Sequence, residues 1–243
     1  MPRATAINRV PTANRVNIPE SYFSVHHNGS DGKCSFGSSA AYLASGYALW
    51  FRDDGVGGVR IPAVLYIDGN NYFTTYSVFD GGSTCTLNVS VRKNGSDTIG
   101  AVSTYHRFDA HHLVVTWDAS DLRIFLDGNR VFLNSGNYAI SPGATPSFLT
   151  GGFPTLTTPW VGYTTQCILF DEKVTDDEAA ALHRSGIHPI GKVSCYWPHT
   201  EGSGNVRPGP GSGGLDGTLG TGITWTTDTP RRPRAANAAR VAT

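Results

Sequence analysis

The chain has 243 residues, 19 Lys and Arg against 19 Asp and Glu, and an apolar fraction of 39%. That length admits one large β domain or two small ones with a sizeable core, and no apolar run reaches the roughly 18 residues that a membrane helix needs. With 29 Gly, 14 Pro and little continuous helix pattern, the composition speaks against a helical fold and for a sandwich or barrel.

The formal neutrality hides a pattern along the chain. Residues 1–16 carry Arg3, Arg9 and Arg15 without an acid, and residues 229–243 carry Arg231, Arg232, Arg234 and Arg240, again without an acid. The span between them holds the acidic surplus. Residues 1–19 and 229–243 therefore read as two basic arms around a body at 20–228. Such arms suit docking on acidic surfaces of neighbouring subunits, with nucleic acid the lesser alternative. "MPRATAINRVPTANRV" has no hydrophobic stretch after its basic residues, as a standard secretory signal would.

Along the body, strands are expected at 21–25 (SYFSV), 46–52 (GYALWFR), 61–67 (IPAVLYI), 71–78 (NYFTTYSV) and 85–93 (CTLNVSVRK). "HHLVVTWDASDLRIFLDGNRVF", 111–132, divides into three strands. The cluster Asp118–Asp121 makes one turn and the Asp127-Gly128 hairpin signal the other. Further strands are expected at 160–171, 192–197 and 223–227. One helix stands out at 175–186, "TDDEAAALHRSG". Thr175 and Glu178 form a capping box, Asp176 and Asp177 sit at the positive end of its dipole, and Gly186 and Pro189 close it. The Gly/Pro-rich stretch 201–214 reads as a loop.

Chemistry-bearing residues are sparse. The four glutamates are Glu20, Glu172, Glu178 and Glu201, and none has an acid two residues away on an expected strand, the spacing that would aim two carboxylates into one cleft. No G-x-S-x-G elbow is present, and "DGKC" lacks the residues of a phosphate loop. The pairs His26-His27 and His111-His112 point to opposite faces of a strand and cannot grip one metal together, so each pair should place one ring inside and one at the surface. Of the cysteines, Cys85 and Cys195 alternate with core residues, Cys167 is ambiguous, and Cys34 in a Gly/Ser-rich stretch is the expected exposed thiol; free thiols are favoured over disulfides. The segments 68–73 and 79–82 bracket a hairpin with Tyr72, Tyr76 and Phe79, whose rings could stack on sugars. Asp68, Asn70 and Asp80 beside them are the calcium candidates; no other cofactor is expected.

Three segments carry a family resemblance. "HHLVVTWDASDLRIFLDGNRVF" resembles the central "WHHVAVTWDG…LYVDG" signature of laminin-G-like, concanavalin-A-like jelly rolls. "GYALWFR" resembles their earlier "FTLSAWVK" strand, and "ILFDEKVTDDEAAALHRSG" resembles the closing strand and helix. The match runs over roughly residues 20–190. "VSCYWPHTEGSGN…GLDGTLGTGITW" resembles a segment that often opens such domains, yet here it follows the helix. About 50 residues cannot bury a core of their own, so the expectation is a permuted arrangement in which 192–227 returns to the same sandwich. The resemblance implies an all-β, two-sheet antiparallel jelly roll with one short helix near 175–185. Relatives bind glycans or proteins through edge loops or a concave face, sometimes with calcium. Fold alone fixes no activity. The leading expectation is a non-enzymatic structural subunit of a virion (a capsid decoration, neck or tail protein), assembled with other subunits through its arms. The alternative is a carbohydrate-binding or adhesion module at an extracellular surface, meeting surface glycans, and a glycoside hydrolase is the weakest reading. Neither membrane nor nucleic acid is the expected partner.

Overall fold

The computed structural model describes residues 23–228 apart from 30–31, 40–41, 43, 56–57, 80, 141–143, 155–159, 186–190 and 210–213. Both basic arms, with Arg3, Arg9, Arg15, Arg231, Arg232 and Arg234, lie outside the described residues, as do Asp80, Gly186 and Pro189. The first half of the chain forms β1 (Ser24–Asn28), β2 (Cys34–Ser38), β3 (Gly46–Asp53), β4 (Val59–Asp68), β5 (Asn71–Phe79), β6 (Thr84–Lys93) and β7 (Ser96–His106). Next come β8 (His111–Trp117), β9 (Asp121–Leu126), β10 (Asn129–Ser135), β11 (Ser147–Thr150) and β12 (Val161–Phe170). The helix α1 (Asp176–Ser185) precedes β13 (Val193–Trp197), β14 (Thr218–Leu219) and β15 (Ile223–Thr226).

These strands build two antiparallel sheets packed face to face. One runs β10-β9-β8-β3-β12-β1-β15 with β13 also paired to β12, and the other runs β14-β2-β11-β4-β5-β6-β7. Between them lies a core in which Phe73 stacks on Trp117 at 3.9 Å and Phe36 meets Trp197 at 4.4 Å. The expected two-sheet jelly roll forms, with one helix among the described residues. Two tight hairpins use left-handed residue pairs, Asp127-Gly128 (φ 53° and 80°) and Asn94-Gly95 (φ 51° and 80°), the backbone that matches strand twist.

The helix explains why β3 and β8 read as continuous apolar runs. Thr175 and Glu178 close the capping box, with Thr175 N–H donating to Glu178 Oε2 at 2.8 Å and Glu178 N–H to Thr175 Oγ1 at 3.3 Å. Ala179 and Leu182 then bury against Ala48, Val114, Phe125 and Phe170 on the outer face of the eight-stranded sheet. Both faces of β3 and β8 are thereby covered. His112 stacks near Trp50 and His183 under the helix, while His111 is buried on the core side, so neither of this pair reaches the surface, contrary to the expectation. His26 and His27 do divide as expected, His27 inward and His26 half-buried against Tyr163.

The C-terminal stretch completes both sheets. β13 pairs with the second half of β12, β15 with β1, and β14 with β2. Trp197 is fully buried, with Nε1–H donating to the Leu215 carbonyl at 2.8 Å; Trp225 is only partly buried. Since β1 covers Val161–Thr164 and β13 covers Cys167–Phe170, the edge of β12 has a gap at Gln166. Gln166 bulges there with φ 51°, and its N–H donates to Nδ1 of the buried His199 at 3.1 Å. Four strands were not expected from the sequence: β2, β7, β11 and the two-residue β14. Cys34 lies in β2 and is buried, not exposed, and all four cysteines are buried thiols outside any disulfide.

One carboxylate ties the sheets together. Asp53, at the end of β3 and fully buried, accepts at Oδ1 from Arg60 Nη1 and Gly55 N–H, each at 3.0 Å. Its Oδ2 accepts from Ser77 Oγ (3.1 Å), Tyr105 OH (3.0 Å) and Cys85 Sγ (3.4 Å). Strands β4, β5, β6 and β7 of the other sheet each send a group to it. Breaking a buried ion pair by removing one partner costs about 3–5 kcal/mol. Asp53→Ala should lose that much in a denaturant titration, seen as a lower midpoint.

Two buried histidines set the response to acid. Burial holds His27 down to about 4, opposed by its bond to the Gly32 carbonyl, and burial with the nearby His27 holds His199 to about 3. Both folded values lie below the ordinary 6.5, so their contribution is present above pH 6.5 and lost as pH falls toward 4. His111 works the other way. Burial pulls its pKa down, but its Nδ1 lies 2.8 Å from Asp127 Oδ2 and its Nε2 2.9 Å from the His106 carbonyl, both acceptors only, and together these raise it. Its contribution is kept in acid and lost as pH rises through the raised value. Melting temperatures should therefore fall steadily from pH 6.5 to 4, and His199→Asn, which can still accept the Gln166 N–H, should flatten that slope.

Candidate functional site: an aromatic face on the seven-stranded sheet

The outer face of the seven-stranded sheet is set by strand register. Residues directly opposite each other share a face, which gives one row across four strands: Ser147, Tyr66, Tyr72 and Arg92. The next row is Leu149, Val64, Thr74 and Ser90, and beyond it Tyr76 stands opposite Asn88. The tyrosines at 66, 72 and 76 are each half-buried and pack around a small apolar cluster of Ile61, Val64, Leu149 and Phe153.

Phe153 arrives from the loop after β11 and organises this face. Its ring meets Tyr66 at 5.3 Å and Tyr72 at 5.0 Å, both edge-on, geometries that contribute about 0.5–1.5 kcal/mol each beyond burial. Lys33 Nζ donates to the carbonyls of Phe153 and Pro154, each at 2.8 Å, and so pins the loop from the neighbouring strand. On the other side, Arg92 holds Asp97 in a bidentate pair at 2.7 Å and lies 5.7 Å from the Tyr72 ring centre. That pairing raises the Arg92 pKa and lowers that of Asp97. Among the described residues, none bonds the hydroxyls of Tyr66, Tyr72 or Tyr76. The face thus offers ring surfaces, phenol hydroxyls and short amide and hydroxyl side chains, with a fixed cation at one edge.

Of the three sugar-stacking candidates, Tyr72 and Tyr76 come together here. Phe79 does not: it faces inward, against the main core and 4.7 Å from the Arg107 guanidinium. The two-residue period of β5 requires this, since 72 and 76 share a parity that 79 breaks. Tyr66 and Phe153 belong to the site and were not anticipated. Tyr66 could have been found by folding the 68–71 turn back in register; the loop around Phe153 carries no comparable signal.

The calcium candidates separate. Asp68 and Asn70 lie in the β4–β5 turn, whereas Asp80 is outside the described residues and its neighbour Phe79 closes β5 at the opposite end, about 27 Å along the strand. The Asp68 carboxylate is already committed: Oδ1 accepts from the Asn70 N–H at 2.7 Å, and both oxygens lie 3.1 Å from Asn71 Nδ2. Asn71 Oδ1 in turn accepts the Asn94 N–H at 2.9 Å, stapling this turn to the β6–β7 turn. Among the described residues, no cluster of three or more His, Cys, Asp or Glu could hold a metal, and no helix is long and apolar enough to cross a membrane.

A two-sheet antiparallel sandwich with a strand-and-helix closure defines the class. The chain belongs to the concanavalin A-like lectin/glucanases superfamily, whose Laminin_G_3 family model matches residues 28–180. No curated protein matches the chain. Several solved structures share the fold. A putative carbohydrate binding protein from Bacteroides ovatus is 15% identical with a TM-score of 0.62, covering 87% of this chain and 61% of that one. Domain 4 of AbnA, a GH43 extracellular arabinanase from Geobacillus stearothermophilus in complex with arabinotriose, is 16% identical with a TM-score of 0.52, covering 65% and 75%. The enzymatically active domain of bacteriophage CBA120 tailspike protein 2 is 15% identical with a TM-score of 0.52, covering 68% of this chain and 28% of that one.

Because Asp68 spends its oxygens on Asn70 and Asn71, the turn should hold without a cation. A chelator should leave the melting temperature unchanged, while Asp68→Ala should lower stability by about 1–2 kcal/mol through the lost hydrogen bonds.

Proposed function

We propose that the chain is a non-catalytic carbohydrate-binding jelly roll that holds a neutral glycan on the face formed by Tyr66, Tyr72, Tyr76 and Phe153. The observation that carries this is the convergence of three half-exposed tyrosines from two strands onto one outer face, with the half-buried amide of Asn88 opposite Tyr76 to meet sugar hydroxyls. Aromatic faces take the apolar face of a pyranose or furanose ring, and short polar side chains fix its orientation. The shared fold of a putative carbohydrate binding protein and of a domain solved with arabinotriose supports the reading.

A binding role without turnover is supported by where the glutamates fall. Glu172 lies in the turn after β12, Glu178 is engaged by the helix cap and by Lys192 at 2.8 Å, and Glu201 follows β13. None of these three stands on a strand of the aromatic face, and the register partners there are Thr, Ser, Asn and Arg. Titration with neutral oligosaccharides should give saturable binding without product. Tyr72→Ala and Tyr76→Ala should each weaken it about three- to tenfold, the equivalent of one stacking contact. Reducing sugar released from the same oligosaccharides would contradict the reading.

A second reading sets this module in a larger assembly: a structural subunit of a virion, with residues 1–16 and 229–243 lacing onto neighbouring copies. Favouring it are the arginine-rich, acid-free composition of the two ends and the fold shared with part of a phage tailspike. Arginine's planar fork suits carboxylates at a subunit interface. Removing both ends should leave the body folded and abolish assembly, as light scattering would measure; a trimmed protein that assembles like the full chain contradicts this role.

A further inference from the structure

At the rim of the sandwich, where the chain leaves β7 in one sheet for β8 in the other, two adjacent residues break ordinary rules. Arg107 is buried, 6% exposed, and takes part in none of the ion pairs among the described residues. Its guanidinium donates from Nη2 to the Asp54 carbonyl at 3.2 Å, while Nε–H is buried with no hydrogen-bond partner among the described residues. Among the described residues, Asp53 is engaged by Arg60 and Asp54 by Arg52. Two rings partly offset the burial, Phe79 at 4.7 Å and Phe108 at 4.5 Å from the guanidinium carbon.

Phe108 is the second exception. It is 58% exposed and sits at φ 67°, a left-handed backbone that a bulky residue adopts only under strain. Its N–H donates to the Asp53 carbonyl at 3.0 Å and the Arg107 N–H to the Ser83 carbonyl at 2.8 Å, so the turn is fastened and the strained shape is held. A strained, exposed aromatic beside a buried cation without a carboxylate is a combination that folding alone does not favour.

We propose that Arg107 and Phe108 form a second binding site, for a carboxylate-bearing sugar ring. The sugar ring stacks on the face of Phe108 that the guanidinium leaves open, and its carboxylate meets the Nη edge of Arg107. An anion supplies the missing counter-charge, and charge-assisted bonds to guanidinium are the stronger kind. This site is separate from the tyrosine face, since Phe79 and Arg107 lie on the core side of β5 and at the rim. It does not require that the tyrosine face bind anything.

The test uses the full chain titrated with a galacturonic acid trisaccharide, a neutral galactose trisaccharide, acetate and an aspartate-containing tripeptide, followed by calorimetry. The galacturonate should bind at least tenfold more tightly than the other three. Phe108→Gly is the decisive variant, because glycine accepts the left-handed backbone: it should abolish galacturonate binding while the melting temperature holds or rises. Arg107→Lys should weaken binding as well, and Tyr72→Ala should leave it unchanged. Equal binding of galacturonate and galactose, unchanged binding by Phe108→Gly, or a peptide or acetate that binds as well as the galacturonate would each overturn the proposal.

Discussion

The structure turns on a single buried carboxylate. Asp53 ends β3 in one sheet and collects donors from β4, β5, β6 and β7 of the other. An isolated charge in that position would cost far more than a domain's net stability, so every one of those strands must arrive in register for the fold to be tolerable. This gives the knot a role in specificity: a one-residue slip of β5 would turn Ser77 outward and bring Tyr76 in, and the same slip would dismantle the aromatic face. The position of the tyrosines and the satisfaction of Asp53 are two consequences of one register.

The second constraint is closure by the C-terminal return. β12 is paired along one side by β3 and along the other by β1 and then β13, strands drawn from opposite ends of the chain. The seam between them is closed by His199, which takes the Gln166 N–H that neither strand can reach. Holding an imidazole neutral in that seam ties the union of the two chain ends to proton concentration.

Much of this was legible in residue order, and the limits have physical reasons. Strands with β-branched alternation, the Asp127-Gly128 turn and the Thr175–Glu178 cap announce themselves because their signals are local. The return of 192–227 could be inferred because Trp197 and its neighbours need burial that so short a segment cannot provide. β7 stayed hidden because "SDTIGAVSTYH" is an edge strand of Ser, Thr and Gly with little to bury, and β2, "CSFGS", looks like a loop. Asp53 gave no sign, since an Asp at the end of an apolar run reads as the start of a turn. At the site, the parity that separates Phe79 from Tyr72 and Tyr76 was present in the sequence, whereas Phe153 reaches the face only through the path of its loop.

The most direct test of the central claim, that the Tyr66–Tyr72–Tyr76 face is where a neutral glycan binds, is a chemical-shift map of the labelled full chain titrated with a neutral oligosaccharide. Perturbed resonances should cluster on Tyr66, Tyr72, Tyr76, Asn88 and Phe153, with β8, β9 and α1 on the far side of the molecule unmoved. Perturbations centred on the helix-covered sheet, or on the loops at its edges with the tyrosine face silent, would contradict it.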